Sequence, residues 1–186
     1  YKVATKMAKH GAGGASFSDW WAFKYEVIDA IPYNGPILTE AGVTVAYNSD
    51  NAEMMRRLNQ EAAKAVKYGG LSEHEAWKYV TINPAKLLRI DDKVGSIAVG
   101  KHADLALWSH NPLSIYAVAE KTIIEGAIFY DYSNLETQIQ QNEKERELII
   151  SQLKDAKKGG AKTQPAPVED KRYLVCETID IVDANE

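Results

Sequence analysis

The chain has 186 residues, of which 45% are hydrophobic and 26% are charged, and its formal net charge is −4. This hydrophobic fraction is sufficient for a folded core, so the composition excludes wholesale disorder. A single cysteine excludes an internal disulfide, and together with four histidines it leaves few ligands for a self-contained metal site. The mild acidity excludes the basic surface that binds nucleic acid or anionic lipid. No stretch approaches the roughly 18 apolar residues of a membrane span, so no membrane partner is expected.

The first residues, Tyr1-Lys2-Val3-Ala4, contain neither an initiator methionine nor the pattern of a signal peptide. We therefore expect the chain to be part of a longer protein. The localisation of that protein stays open, because a targeting signal would lie ahead of these residues.

The first 90 residues alternate between strand and helix patterns. The predicted elements, in chain order, are a helix at 2–10, a strand at 15–17, a helix that ends at Gly42, a strand at 43–47, a helix of about 17 residues ending at Tyr68 and a helix that begins after Ser72. Residues 43–47 form a β-branched apolar run, which is typical of a buried parallel strand. This alternation predicts the βα units of a parallel sheet or barrel.

The pattern changes after residue 90. Three short apolar runs, at 94–97, 103–108 and 122–130, are separated by turn residues and predict a small antiparallel β module. Residues 134–158 are highly charged with a thin apolar stripe, which indicates a surface helix rather than a coiled coil, because the heptad is not sustained. A linker and a possible last strand at 173–182 follow. The predicted segments are 1–90, 91–132, 133–160 and 161–186.

Two aspartates follow the two predicted strands. Asp19 comes after the first strand and Asp50 directly after the second. The carboxyl ends of parallel strands are where ligands and catalysis gather, and a carboxylate there can bind a metal and accept a proton from metal-bound water. Asp50, with Glu53 three residues later, is also a good N-cap for the next helix. From spacing alone, the N-cap interpretation is favoured over catalysis.

Four ordered motifs resemble the amidohydrolase superfamily, in its imidazolonepropionase-like branch. The run EAGVTVAYNSD at 40–50 resembles the eighth barrel strand of that superfamily, and TINPAKLL at 81–88 resembles its T-x-N-P-A-x-x-L helix end. GSIAVGKHADL at 95–105 is similar to its G-S-I-x-x-G-K-x-A-D-L motif, and 111–113 and 124–126 complete the order. Four motifs in the expected order are a far more specific signal than any one of them.

The resemblance implies a metal-dependent hydrolase that cleaves C–N bonds of a small-molecule or peptide-like amide. Its fold class is α/β, and this chain would supply the last two βα units of a TIM-like (β/α)8 barrel, a small β-sandwich module and a C-terminal charged helix. One or two divalent ions, zinc foremost, would be bound in the full-length enzyme. Only Asp50 matches the family's aspartate that ligates the metal and takes up a proton, and with these motifs we favour that catalytic role. Capping the helix is compatible with it.

The other metal ligands of the family have no match in this chain. They are an H-x-H pair on the first barrel strand, a bridging residue on the fourth and histidines on the fifth and sixth. None of the four histidines present, His10, His74, His102 and His110, lies where it can replace them. We therefore expect the chain alone to bind no metal and to be inactive. Its expected partners are the missing N-terminal part of the same protein and further copies in a homo-oligomer.

Four further residues near the strand ends are candidates for substrate binding. Asp19 and Trp20 can shape a pocket, although packing within the loop explains them equally well. Asn48 and Ser49 flank Asp50, and turn formation is the competing explanation for them. Two alternative functions also stay open. One is a non-catalytic interaction module that docks a partner through helix 134–158, and the other is an amidohydrolase-like relative without hydrolytic activity.

Overall fold

The computed structural model describes residues 1–162 and residue 164. Its contacts divide the chain into two compact units, Tyr1–Tyr132 and the residues from Ser133 onward. Within the described residues, no helix is long and apolar enough to cross a membrane. The linker prolines and the strand predicted at 173–182 lie outside the described residues. The boundary predicted between residues 90 and 91 stays a prediction.

Two short strands paired in parallel lie at the centre of the first unit. Strand β1 is Gly14–Ser16 and strand β2 is Val45–Tyr47, with Ala15 opposite Ala46. Helix α1 (Ala4–His10) precedes β1, and helix α2 (Asn34–Glu40) precedes β2. The long connection between β1 and α2 contains two short 3-10 helices, Trp20–Ala22 and Tyr25–Val27. All three residues of β2 are buried, as the β-branched run predicts.

Four helices follow β2: α3 (Ala52–Met55), α4 (Leu58–Gly69), α5 (Glu73–Lys78) and α6 (Ile82–Leu87). The single helix predicted up to Tyr68 is therefore interrupted at Arg56 and Arg57, because the chain turns between the exposed α3 and the half-buried α4. The helix predicted to begin after Ser72 is confirmed, and Ser72 is its N-cap, since the Ser72 hydroxyl accepts a hydrogen bond from the Glu75 amide at 3.2 Å.

A three-stranded antiparallel sheet forms the region where the β module was predicted. Its strands are β3 (Leu105–Trp108), β4 (Ala119–Ile124) and β5 (Ala127–Asp131), in that spatial order. The strand predicted at 94–97 is absent. There the Lys101 ammonium donates hydrogen bonds to the carbonyl of Asp91, to the carbonyl of Val94 at 3.3 Å and to the Ser96 hydroxyl at 2.7 Å. These bonds hold the segment as a loop.

The second unit contains one long helix. A 3-10 turn at Tyr132–Asn134 leads into α7 (Leu135–Lys158), which has 24 residues and no buried side chain. The predicted charged helix at 134–158 is confirmed within about one residue at each end.

A tyrosine pair lies in the core of the first unit. The rings of Tyr47 and Tyr79 meet edge to face with centroids 4.7 Å apart, and the Tyr47 amide donates to the Tyr79 carbonyl at 2.9 Å. The Tyr79 hydroxyl also shares a hydrogen bond with the Thr39 hydroxyl. Small residues surround the pair and let α4 and α5 approach β2; they include Ala65 and Ala76, both fully buried. The pair thus joins β2 to two helices of the unit.

Burial makes the stability of this core sensitive to high pH. Burial raises the pKa of Tyr79 to about 12, and burial also raises the pKa of Tyr47. A tyrosine with a raised folded-state pKa contributes stability that is complete below pH about 10 and is lost as the pH rises toward the folded-state pKa. From pH 9 to pH 11 the free energy of unfolding should fall by about 1 kcal/mol less in Tyr79→Phe than in the wild type, measured by urea unfolding at both pH values. The matched control is Tyr116→Phe, at a side chain that is 79% exposed, and an equal effect there would contradict this account.

Candidate functional site at the carboxyl ends of the parallel strands

The parallel pairing of β1 and β2 brings the residues after both strands to one edge. Ser16 lies opposite Tyr47 at the end of the register, and the Asn48 amide continues the pairing by donating to the Ser16 carbonyl at 3.1 Å. The segments that follow, with Ser18 and Asp19 after β1 and Asn48 to Asp50 after β2, therefore start from the same place. The predicted site residues share this edge because of backbone pairing.

Asp50 is exposed and does not cap the following helix. The N-cap of α3 is Asn51, whose Oδ1 accepts hydrogen bonds from the amides of Glu53 at 2.8 Å and Met54 at 3.1 Å. The N-cap interpretation of Asp50 is therefore wrong. Asn51 has the extended backbone of a cap, with φ −130 and ψ 128, and it stands one residue closer to the helix. The carboxylate of Asp50 is left available for another role.

Asn48 and Ser49 hold the turn that presents Asp50. The Asn48 side-chain amide donates to Asp50 Oδ1 at 3.4 Å, and the Ser49 hydroxyl donates to the Asn51 carbonyl at 3.2 Å. Asn48 also lines a cavity of about 310 Å³ together with Ser16 and Asn34. Its Oδ1 is buried and has no hydrogen-bond partner within the described part of the chain. Asn48 thus offers a free acceptor close to the Asp50 carboxylate, to which its side-chain amide donates.

Asp19 belongs to a polar cluster that sequence reasoning did not find. The Lys64 ammonium on α4 donates to Asp19 Oδ1 at 2.9 Å, to the Ser18 hydroxyl at 3.2 Å and to both Glu61 oxygens at 2.9 and 3.0 Å. The Ser18 hydroxyl donates in turn to Glu61. Ser18 and Glu61 are buried, 1% and 6% exposed, while the side chains of Lys64 and Asp19 are partly exposed, so the cluster lies at the boundary of the core.

Lys64 is shared by the two carboxylates of this cluster, Asp19 and Glu61. Burial lowers the pKa of Lys64, but hydrogen bonds to Asp19 and Glu61 outweigh burial and raise it overall. Lys64 therefore stays protonated and fixes the Asp19 carboxylate to α4. The sequence shows only the local half of this cluster, Glu61 and Lys64 three residues apart on one helix, because Asp19 precedes Lys64 by 45 positions. The predicted substrate role of Asp19 stays a prediction, and the structure adds this structural contact.

Trp20 packs within its own loop. Its ring stacks on Phe17 with centroids 4.3 Å apart and meets Phe23 edge to face at 5.1 Å. These contacts show the packing role that competed with substrate binding, and the substrate role stays a prediction.

Asp50 is at most one member of a metal site. Among the residues that the structure describes, no three His, Cys, Asp or Glu side chains form a group that could hold a metal ion. A zinc site in proteins commonly has three or four protein ligands. The described residues therefore do not by themselves fit a divalent metal.

Comparisons with known proteins agree with this architecture. Residues 35–161 match the amidohydrolase family. The chain is 34% identical over 118 residues to the amidohydrolase tasK of Hapsidospora irregularis, and 60% identical over 38 residues to an imidazolonepropionase of Shewanella frigidimarina. The crystal structure of an amidohydrolase from Thermotoga maritima superposes with a TM-score of 0.62 at 30% identity, covering 70% of this chain. The chain belongs to the amidohydrolase family, and its mixed α/β fold is shared with part of these proteins.

The matched regions are small parts of the relatives. The chain corresponds to 12% of the tasK protein, 9% of the imidazolonepropionase and 34% of the Thermotoga chain. The tasK match covers 63% of this chain, and the imidazolonepropionase match covers 20%.

The cap assignment predicts different effects for two adjacent residues. Asn51→Ala removes the acceptor for two amides of α3, and we expect it to lower the free energy of unfolding by about 1 kcal/mol. Asp50→Ala, at an exposed carboxylate outside the helix, should change it by less than about 0.5 kcal/mol. Urea unfolding of the two variants measures the difference, and a larger loss for Asp50→Ala would restore the rejected cap.

From the Lys64 cluster we predict that replacing this one lysine by an uncharged residue lowers the free energy of unfolding strongly. Lys64→Met leaves the buried Glu61 without its cation, and we expect a loss of about 2–4 kcal/mol in the free energy of unfolding. Lys67→Met, at an exposed position on the same helix, is the matched control and should cost less than about 0.5 kcal/mol. Equal losses in the two variants would show that the cluster contributes nothing specific.

Proposed function

We propose that this chain is the C-terminal part of a metal-dependent hydrolase that cleaves C–N bonds, with Asp50 at its reaction centre. In this proposal the chain supplies the last two βα units of the barrel and part of a β-sandwich. The remaining metal ligands come from polypeptide outside this chain, so the 186-residue chain alone is inactive. The family assignment and the four ordered motifs support this proposal.

The observation that carries the proposal is the placement of Asp50. It follows a buried parallel strand, its carboxylate is exposed, and the helix that begins beside it is capped by Asn51. In parallel βα folds this edge is where catalytic groups gather. A carboxylate that neither caps a helix nor forms an ion pair within the described residues is available to bind a ligand.

The chemistry assigned to Asp50 is proton transfer and metal binding. A divalent metal, with zinc the expected ion, would be held by Asp50 together with ligands outside this chain, and it would supply a bound water with a lowered pKa. Asp50 is within reach of its neighbour Asn48, whose side-chain amide donates to it and holds its orientation. In this role the Asp50 carboxylate would accept a proton from the attacking water and would return it to the leaving nitrogen.

The substrate class is an amide, a peptide or a cyclic amide of small size. Support comes from the similarity to proteins described as amidohydrolase and imidazolonepropionase. Asp19, Trp20, Asn48 and Ser49 remain the proposed substrate contacts of this chain. Among them, Asn48 is the best placed to accept a hydrogen bond from a substrate, because its buried Oδ1 lacks a hydrogen-bond partner among the described residues.

The test is Asp50→Asn in the full-length protein that contains this chain, loaded with zinc and assayed on a panel of dipeptides and cyclic amides. We expect kcat to fall by at least about a thousandfold, because both a proton acceptor and a metal ligand are weakened. The thermal midpoint should change by less than about 2 °C, since Asp50 holds no element together.

Two controls make this result specific. Asn51→Ala should keep kcat within a few-fold of the wild type although it lowers stability, because it removes a cap and not the carboxylate. The isolated 186-residue chain should show neither turnover nor stoichiometric zinc. Near-normal turnover of Asp50→Asn would reject the role of Asp50. Tight zinc binding by the isolated chain would reject the proposal that most metal ligands lie outside this chain.

A further inference from the structure

Helix α7 carries a regular stripe that the proposed hydrolysis does not use. Its members recur with alternating spacings of four and three residues and are Leu135, Ile139, Asn142, Arg146, Ile149, Leu153 and Ala156. This spacing is that of the core positions of a heptad, and the polar members interrupt its apolar seam, which is why the sequence predicts a surface helix. Three of the apolar members are 47–64% exposed: Ile139, Ile149 and Leu153. The stripe is apolar at both ends and polar at Asn142 and Arg146 in the middle.

The polar middle favours an antiparallel pairing, because a parallel in-register pairing would place Arg146 against Arg146 of the second copy, two like charges in one layer. Consider two copies of α7 that run antiparallel with Lys144 at the centre. A residue that follows Lys144 by some number of positions in one helix then faces the residue that precedes Lys144 by the same number in the other. Leu135 then faces Leu153 of the second copy, and Ile139 faces Ile149. Arg146 faces Asn142, so between Leu135 and Leu153 each layer pairs apolar with apolar or polar with polar, while Ala156 lies beyond the paired segment. A shift by one heptad instead places Arg146 against an apolar residue, which leaves a charge in an apolar layer.

The charges around the centre favour the same register. Glu143 and Glu145 flank the stripe, so two arginines in the central layers are surrounded by four glutamates. Arg146 makes no ion pair with any other described residue, which leaves its guanidinium available for the facing helix. A shallow groove on α7 is lined by Asn142, Glu145, Arg146, Ile149 and Ile150, all within or beside the stripe. Arginine with carboxylates in such a setting forms strong, directional hydrogen bonds.

We propose that α7 is a docking surface for a second copy of this chain, through antiparallel pairing of the two helices centred on Lys144. The paired segment, about 30 Å long, covers the exposed isoleucines and leucines. The Arg146 and Asn142 layers cost stability but select this register, as single polar core residues do in helix pairs.

The first test compares two charge reversals with the same net change in the full 186-residue chain. Arg146→Glu places six glutamates around the centre. We expect it to raise the dissociation constant of the dimer at least tenfold, measured by sedimentation equilibrium. Lys144→Glu changes a side chain that points away from the stripe and should alter that constant by less than twofold. Circular dichroism checks that both variants keep their helix content. A monomeric wild-type chain, or equal effects of both variants, overturns the proposal.

The second test reads the direction of pairing. In a Cys176→Ser background, Glu145→Cys lies beside its own counterpart in the antiparallel register. Gln152→Cys lies on the same side of the stripe but about 24 Å from its counterpart. A short bismaleimide should link Glu145→Cys dimers at least tenfold faster than Gln152→Cys dimers. Equal rates would show a parallel pairing or random collision, and a dimer without linkage at position 145 would place the contact elsewhere; either result overturns the proposal.

Discussion

The parallel pairing of β1 with β2 is the constraint on which the candidate site depends. Three residue pairs, from Gly14 with Val45 to Ser16 with Tyr47, fix where each strand ends. A slip by one residue would break the hydrogen bond from the Asn48 amide to the Ser16 carbonyl and move Tyr47 away from Tyr79. β2 resists such a slip, since all three of its residues are buried and Tyr47 packs against Tyr79. The pairing therefore places Asp50 reliably, although Asp50 itself makes few contacts.

The two sides of this edge are stabilised by different means. On the β1 side, the cluster of Ser18, Glu61 and Lys64 fixes Asp19 to α4 by charge-assisted hydrogen bonds. On the β2 side, Asn48, Ser49 and Asn51 form a polar turn that satisfies the helix and leaves the Asp50 carboxylate free. One carboxylate is thus paired with a lysine, while the other is presented in an exposed turn. This difference is why we assign the chemistry to Asp50 rather than to Asp19.

Sequence patterns predicted those helices and strands that are determined by residues close together in the chain. The β-branched run before Asn48, the Ser72 cap and the charged helix α7 all follow from residues within a few positions of one another. The cap of α3 was missed because Asp50 and Asn51 are adjacent and equally suited to capping, so backbone conformation decides between them. The Lys64 cluster joins residues 45 and 46 positions apart, which no local pattern reveals. The strand predicted at 94–97 does not form; there the Lys101 ammonium binds the Val94 carbonyl and the Ser96 hydroxyl, a contact from outside the segment that its apolar pattern does not reveal.

The central claim is that the strand pairing presents Asp50 to a metal centre completed by polypeptide outside this chain. The most direct measurement is a crystal structure of the full-length protein with zinc, located by anomalous scattering. The account predicts zinc within about 2.0–2.2 Å of an Asp50 oxygen, with Asn51 still capping α3. Zinc bound at the same edge by other residues, with the Asp50 carboxylate turned into solvent or onto the amides of α3, would contradict it.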